Sequence, residues 1–292
     1  MLKIGVVGVP GSWSSERLAE ALANRSGAGT IVDMERVTLD LETGEVVSPY
    51  GCLESYDGLV VKKLGPLYSP DLLNRLEILR FLSEGGLRVF SGPTNIGQVL
   101  DRMYCTVRLE LGNIPMPPTV ITESTADAED AVRRFGRAVL KPLYTSKARG
   151  MLVVDAGPTA RPTIERFRDA GNRVMYVQKM VTFPGKDLGL VFLGGRYIGT
   201  YARVKNGHSW NTTTVSGGRY EPYTPSDEVI ELAAQAQDLF KLDFTCVDIA
   251  ETSEGPMVFE VSAFGGFRGL YEAWNISAAD MYAEFVIRQL SE

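Results

Sequence analysis

The residues with the clearest chemical content lie near the C-terminal end of the chain. Asp248 and Glu260 sit in two runs of strand formers, 244–250 and 257–262, separated by Thr252, Ser253, Glu254, Gly255 and Pro256, a turn composition. A hairpin symmetric about Glu254 places the two carboxylates directly opposite each other on one face, with Cβ atoms about 4.5–5.5 Å apart. Opposed like charges repel, so such a pair persists by sharing a proton or by holding a cation. The favoured occupant is a divalent ion. Mg²⁺ takes oxygen ligands, commonly one or two carboxylates, and phosphate oxygens complete its shell, so the pair points to a nucleotide-phosphate site. The alternative is that one carboxylate turns to solvent.

Cationic candidates lie upstream. Lys141 interrupts the apolar run RAVLKP just before a proline, where a charge needs a partner. Lys62 and Lys63 close an apolar run at its C-terminal end, where open α/β sheets place ligands; they read either as contacts to an anionic substrate or as solvated lysines. His208 is the one histidine, which removes a histidine metal cluster; no nucleophile elbow or triad motif accompanies it. The glycines at 5, 8 and 11 are evenly spaced by three and lack the G-x-G-x-x-G pattern, so a glycine-lined turn at a sheet edge is preferred to a dinucleotide site.

These residues need a scaffold, and the composition supplies one. At 292 residues with 45% hydrophobic and 23% charged, the chain is long and apolar enough for two or three small folded domains. A net charge of −6 without Lys/Arg runs argues against nucleic acid as a partner and for small molecules. Cys52, Cys105 and Cys246 are widely spaced, which suits a reducing cytoplasm rather than a disulfide framework or zinc site. Neither a membrane span nor a signal-peptide pattern is visible, so a soluble protein is expected.

The periodicity predicts strand, turn and a serine-capped helix over 14–24, strands at 30–41 and 57–64, a helix over 71–82 and a strand at 87–90. A helix over 95–112 leads to Pro115, Pro117 and Pro118; a helix over 125–135, capped by Ser124, follows. Strands at 137–142 and 151–155 then flank a loop suited to a flap over phosphates. A strand at 174–180, a hairpin of 188–193 with 197–204, and a polar loop at 206–218 come next. A helix opening at Thr224 and running to about 240 precedes the carboxylate hairpin, and Ser277 caps a last helix to 290.

In order, then, the chain carries a lysine on a flap strand, a glutamine on the next strand, an arginine on a hairpin, an asparagine in a polar loop, and an aspartate and a glutamate on facing strands. This order resembles the ATP-grasp superfamily. More closely it resembles the RimK-type α-L-glutamate ligases, and among them the enzymes that attach glutamate to pterin cofactors such as tetrahydromethanopterin. The resemblance runs from KIGVVG through VVKKLGPLYSPDLLNRLEILRFL and DRMYCTVRLELGNIPMPPT to EVSAFGGFRGL.

The resemblance implies a mixed α/β and α+β ATP-grasp fold. It comprises an N-terminal α/β domain (1–93), a central subdomain with the phosphate flap (94–180) and a C-terminal antiparallel-sheet subdomain with the metal site (181–292). It implies that Lys141 and Arg102 hold phosphates, that Gln178, Lys179 and Met180 form the adenine hinge, and that Asp187 lies near the ribose. Arg203 and Asn211 would meet the γ phosphate and the reacting carboxylate, and Asp248, Glu260 and Ser262 would hold Mg²⁺ or Mn²⁺. The implied reaction uses ATP to activate a carboxylate as an acyl phosphate, which an amine then attacks. Carboxylate and amine substrates are the implied partners, with a homo-oligomer open.

Four positions depart from the family pattern. Arg102 stands for lysine, changing a point charge to a fork. Ser262 stands for asparagine, a shorter metal ligand. Gly189 stands for an arginine, so one substrate contact is expected to be missing. The loop TSKARG has lost most flap glycines, leaving Ser146, Lys147 and Arg149 as donors. The glycine turn 264–269 is expected to let backbone approach substrate, with Arg268 either pairing with a carboxylate there or lying on the surface. The Ser262 and Gly189 departures keep a second reading open: an ATP-binding module without ligase chemistry, acting by conformational change or partner binding.

Overall fold

The computed structural model describes residues 2–182, 184–205, 212 and 217–292. The chain opens with β1 (Ile4–Val7), α1 (Trp13–Ser26) and β2 (Gly29–Val32). A small antiparallel meander of β3 (Thr38–Asp40), β4 (Glu45–Ser48) and β5 (Gly51–Cys52) precedes β6 (Gly58–Val61), α2 (Asp71–Glu84) and β7 (Arg88–Phe90). β2, β1, β6 and β7 pair in that order, all parallel. β1 and β6 are buried along their whole length, the pattern of strands covered on both faces. The glycine-lined turn therefore follows an inner strand, not a sheet edge.

Local side-chain chemistry moved several boundaries. The strand expected over 30–41 is two strands, because Asp33 accepts the Glu35 N–H and starts a short 3₁₀ turn, Met34–Arg36. Ser12 stands at the N-cap of α1 without capping it; its hydroxyl instead lies 2.6 Å from Lys63 Nζ. The helix expected over 95–112 is α3 (Pro93–Leu100) and α4 (Arg102–Leu111). Asp101 breaks it with an extended backbone and caps α4 by accepting the Tyr104 N–H at 3.1 Å.

The central elements are β8 (Thr119–Thr122), α5 (Thr125–Phe135), β9 (Arg137–Lys141), β10 (Leu152–Asp155), α6 (Ala160–Asp169) and β11 (Met175–Lys179). Their antiparallel sheet runs β10–β9–β11–β8. Val132, Leu140, Ile164, Phe167 and Val177 enclose a separate core under α5 and α6. The remaining elements are β12 (Lys186–Leu193), β13 (Arg196–Val204), β14 (Arg219–Pro222), α7 (Asp227–Asp238), β15 (Phe244–Thr252), β16 (Gly255–Ser262), α8 (Phe267–Trp274) and α9 (Ala278–Ser291). The sheet order is β14–β13–β12–β15–β16, antiparallel throughout. Ser226, not Thr224, caps α7 by accepting the Val229 N–H. β8, α6, β14 and α8 had no counterpart in the sequence pattern.

The first and last parts of the chain share cores. Val6, Leu18 and Phe90 pack with Phe244, Tyr282 and Val286, and Arg25 of α1 binds Asp280 and Glu284 of α9 at 2.6 and 3.0 Å. A second core joins α2, α3 and α4 to α7 and the other face of the C-terminal sheet. Because the central core is separate, a cleft remains where the three groups of elements meet. No described helix is long and apolar enough to cross a membrane.

Candidate active site

The carboxylate hairpin closes by a tighter turn than the sequence predicts. Thr252 pairs with Gly255 and Ile249 with Val258, a register that would set Asp248 opposite Phe259. Phe259 is instead the extra residue of a β-bulge, and the bulge returns Glu260 to the position facing Asp248. The pairing is as expected; the symmetry about Glu254 is not its cause.

Burial pushes the Asp248 carboxyl up to about 6, with Arg203 opposing and the Asp187 and Glu260 charges adding. Arg203 lies across β12 and β13 from Asp187, pairs with it, and reaches Asp248 Oδ2 at 2.8 Å. Burial works against the guanidinium charge, but the two carboxylates outweigh it and hold Arg203 protonated. Asp187 Oδ1 is buried without a hydrogen-bond partner among the described residues. On the other strand, Glu260 Oε2 stands 3.6 Å from Arg102. Ser262 Oγ accepts the Phe264 N–H at 3.2 Å.

Arg102 does more than face the carboxylate. Its side chain donates to the Pro142 and Thr145 carbonyls at 3.1 and 3.2 Å, and Tyr144 donates to Asp101 at 2.6 Å. The stem of the β9–β10 loop is thus tied to the break between α3 and α4. Beyond the stem, Lys147 and Ala148 both adopt φ of 58°, a left-handed conformation that costs side-chain-bearing residues energy and that glycines would adopt freely. Arg149 donates to Ser146.

Lys141 is buried at 8% exposure, and its Nζ lies 2.5 Å from Gln178 Oε1. Gln178 in turn donates to Thr119 and Tyr176, so its amide is held with the oxygen toward the lysine. No carboxylate forms an ion pair with Lys141 among the described residues. Burial, with Arg102 adding, brings its pKa down to about 7 against the opposing charge of Glu260. A buried cation that is answered by a neutral amide and also lines a cavity can accept an anion from that cavity.

Arg102, Lys141, Gln178, Lys179, Met180, Asp187, Arg203, Asp248, Glu260 and Ser262 all line one cavity of about 740 Å³. Lys179 pairs with Glu254 at 3.4 Å on its rim. Asn211 and His208 lie outside the described residues; Thr212, next to Asn211, also lines the cavity. Lys63 and Arg268 reach it too, Arg268 standing 3.4 Å from Glu272 and over the Trp13 ring. Lys62 is 1% exposed, so it is not a solvated lysine.

Two features of the wall were missed. A Cβ at Gly189 would come within 2.4 Å of the Tyr201 ring, and a Cβ at Gly269 would meet the same ring at 2.4 Å. Tyr201 therefore fills the space beside Gly189, which carries no side chain because none fits. The pairing of a tyrosine with a distant glycine has no one-dimensional signal. The glycine turn is also shorter than expected: it ends at Gly266, with φ of 96°, and Gly269 belongs to α8. Phe259, 5.5 Å from Lys141 Nζ, could have been found only by recognising the bulge.

Among the described residues no three acidic, cysteine or histidine side chains converge as a closed metal cage. Two facing carboxylates with hard oxygen donors nevertheless suit Mg²⁺, which keeps open positions for phosphate and water. The arrangement can therefore hold a polyphosphate: cations from β9, α4 and β13 on one side and a divalent ion on the hairpin.

Comparison with known proteins agrees with this fold. The RimK-like ATP-grasp domain matches residues 99–286. The tetrahydromethanopterin:α-L-glutamate ligase of Methanosarcina acetivorans is 25% identical over 98% of this chain and 99% of its own length. Among solved structures, the ATP-grasp ligase PsnB complexed with a phosphomimetic variant of its minimal precursor, Mg and ADP superimposes with a TM-score of 0.77 at 19% identity, covering 99% of this chain and 100% of that one. The RimK domain ATP-grasp protein of Sphaerobacter thermophilus gives 0.76 at 22% identity over 97% and 98%.

Proposed function

Because the chain belongs to the RimK-like ATP-grasp family, we propose that it is an ATP-dependent carboxylate–amine ligase that adds L-glutamate to a small-molecule acceptor of the tetrahydromethanopterin type. The observation that carries this reading is the buried Lys141, held by an amide and facing the same cavity as two opposed carboxylates. The chain is read as three parts, 1–93, 94–180 and 181–292, with the nucleotide between the second and third.

In this reading the acceptor carboxylate oxygen attacks the γ phosphorus of ATP, ADP leaves, and an acyl phosphate forms. The glutamate amine then attacks the acyl carbon, inorganic phosphate leaves with the C–O bond electrons, and the amine loses its proton. Catalysis of such a transfer rests on alignment and charge neutralisation. Lys141 and Arg102 meet the phosphates. Gln178 holds Lys141 in place, while Lys179 and Met180 bound the base and Asp187 the ribose. Arg203, with Asn211, meets the γ phosphate and the reacting carboxylate. Asp248, Glu260 and Ser262 would hold Mg²⁺ or Mn²⁺, which when bound neutralises phosphate charge. The 142–151 loop covers the site and excludes water from the acyl phosphate.

A second reading, an ATP-binding module without ligase chemistry, draws on Ser262, whose hydroxyl is engaged by the Phe264 N–H. Hydroxylamine trapping separates the two. With MgATP and pterin-linked or glutamate-terminated carboxylates, the ligase yields a hydroxamate and ADP; a module that binds MgATP and yields no hydroxamate with any of them supports the second reading.

A further inference from the structure

Lys62 follows β6 at the C-terminal edge of the N-terminal sheet and is among the most deeply buried side chains of the molecule. Its backbone N–H donates to Val7, which fixes the start of the side chain beside β1. The side chain crosses into the C-terminal part of the chain. Nζ donates to the Phe264 carbonyl at 2.9 Å and lies 3.7 Å from the Phe267 ring centroid and 5.2 Å from that of Phe244. No carboxylate forms an ion pair with it among the described residues. A lysine in apolar surroundings with no counter-charge is costly, and Met would fill the same space without that cost. Its contacts therefore have to be explained by what they hold.

They hold one segment. Phe264 is central to the turn 263–266, which leaves β16 just after Glu260 and Ser262 and enters α8, the helix that carries Arg268. Phe264, Gly265, Gly266 and Phe267 line the cleft, whereas Lys62 does not. Gly265 and Gly266 make this turn intrinsically loose, and Gly266 adopts a φ of 96°. The geometry points to Lys62 as a positioning residue: reaching from the N-terminal sheet, it fixes the Phe264 carbonyl and the Phe267 ring, and so sets the 263–266 turn at the substrate end of the cleft. That this end receives the acceptor rests on the ligase reading above; that Lys62 holds the turn does not.

The groups around Nζ are few. Lys63 follows on the same segment and lines the cleft, Cys246 lies nearby on β15, and Tyr282 of α9 stacks on Phe244. Burial raises both the thiol and the phenol, so these stay neutral at ordinary pH, and burial, with Lys147 and Arg268, lowers Lys63. Burial likewise brings Lys62 down to about 7.

The test is amide hydrogen exchange by mass spectrometry on the full chain and on Lys62→Met at one pH, with MgATP affinity measured in parallel. In Lys62→Met the 263–270 segment should exchange about tenfold faster than in the parent, a change of about 1.4 kcal/mol, while the 142–151 loop and MgATP affinity change less than about twofold. Unchanged protection of 263–270 in the variant overturns the proposal. Faster exchange over the entire chain also overturns it, since that marks a lysine needed for folding alone. A parent that binds no MgATP defeats the ligase reading and leaves the exchange result to decide on Lys62.

Discussion

Two buried lysines, one in the central sheet and one at the junction of the N- and C-terminal parts, are treated alike by the fold, and the proposals above give them different roles. Lys141 and Lys62 are both nearly inaccessible, both answered by a neutral oxygen, and both brought by burial to about 7. Lys141 looks onto the cavity and has a side-chain amide as its partner. Lys62 is sealed behind the cavity wall, with a main-chain carbonyl and an aromatic face as its partners. An amide side chain can give up a lysine to an incoming phosphate at little cost to the backbone. A carbonyl inside a glycine turn cannot do so without moving the turn. On the proposed reading the same desolvated charge is a phosphate contact in one region and a structural tie in the other.

The largest test of this contrast comes from the anion side. Glu260→Ala should remove the Mg²⁺-dependent part of ATP binding, a loss on the order of 100-fold by calorimetry with and without Mg²⁺, and leave exchange of the 263–266 turn near that of the parent. Next, Lys141→Met should weaken MgATP binding about 10- to 100-fold while the unfolding midpoint stays level or rises, because a buried charge is replaced by apolar volume. If Lys141→Met and Lys62→Met weaken MgATP alike, the distinction between the two lysines fails.

Gln178→Leu sharpens the contrast at smaller amplitude. It leaves Lys141 without its acceptor and should cost about 1–3 kcal/mol of stability in denaturant unfolding without nucleotide. Saturating MgATP should restore most of that loss, since phosphate replaces the amide. A further effect is on pH dependence. Both lysines have folded pKa values near 7, below the ordinary 10.5, so between about 7 and 10.5 the unfolded chain holds protons that the native state lacks. Their contribution therefore makes stability rise with pH through that window and is flat below 7. Each Lys→Met variant should flatten the rise in the urea midpoint between pH 7 and 9, and the double variant more than either.

Much of the architecture was legible because it is local. Apolar runs of four marked β1 and β6, the Ser124 and Ser277 caps marked α5 and α9, and two strand runs around a turn marked the carboxylate hairpin. Lys141 was visible as a charge in an apolar strand, and the family resemblance supplied the roles proposed for Gln178, Asp187 and Arg203. Short elements such as β8 and β14 escaped because four residues carry little periodicity.

By itself the sequence determined which residue types exist for the chemistry and on which elements they ride, since alternation and capping are properties of neighbours in the chain. The tertiary structure decided which of them meet. The extra residue at Phe259 aligned Glu260 with Asp248, packing of Tyr201 between Gly189 and Gly269 shaped a wall, and docking of the first and last parts buried Lys62. A period of two does not reveal an inserted residue, and burial of a charge depends on surfaces contributed from about 200 residues away.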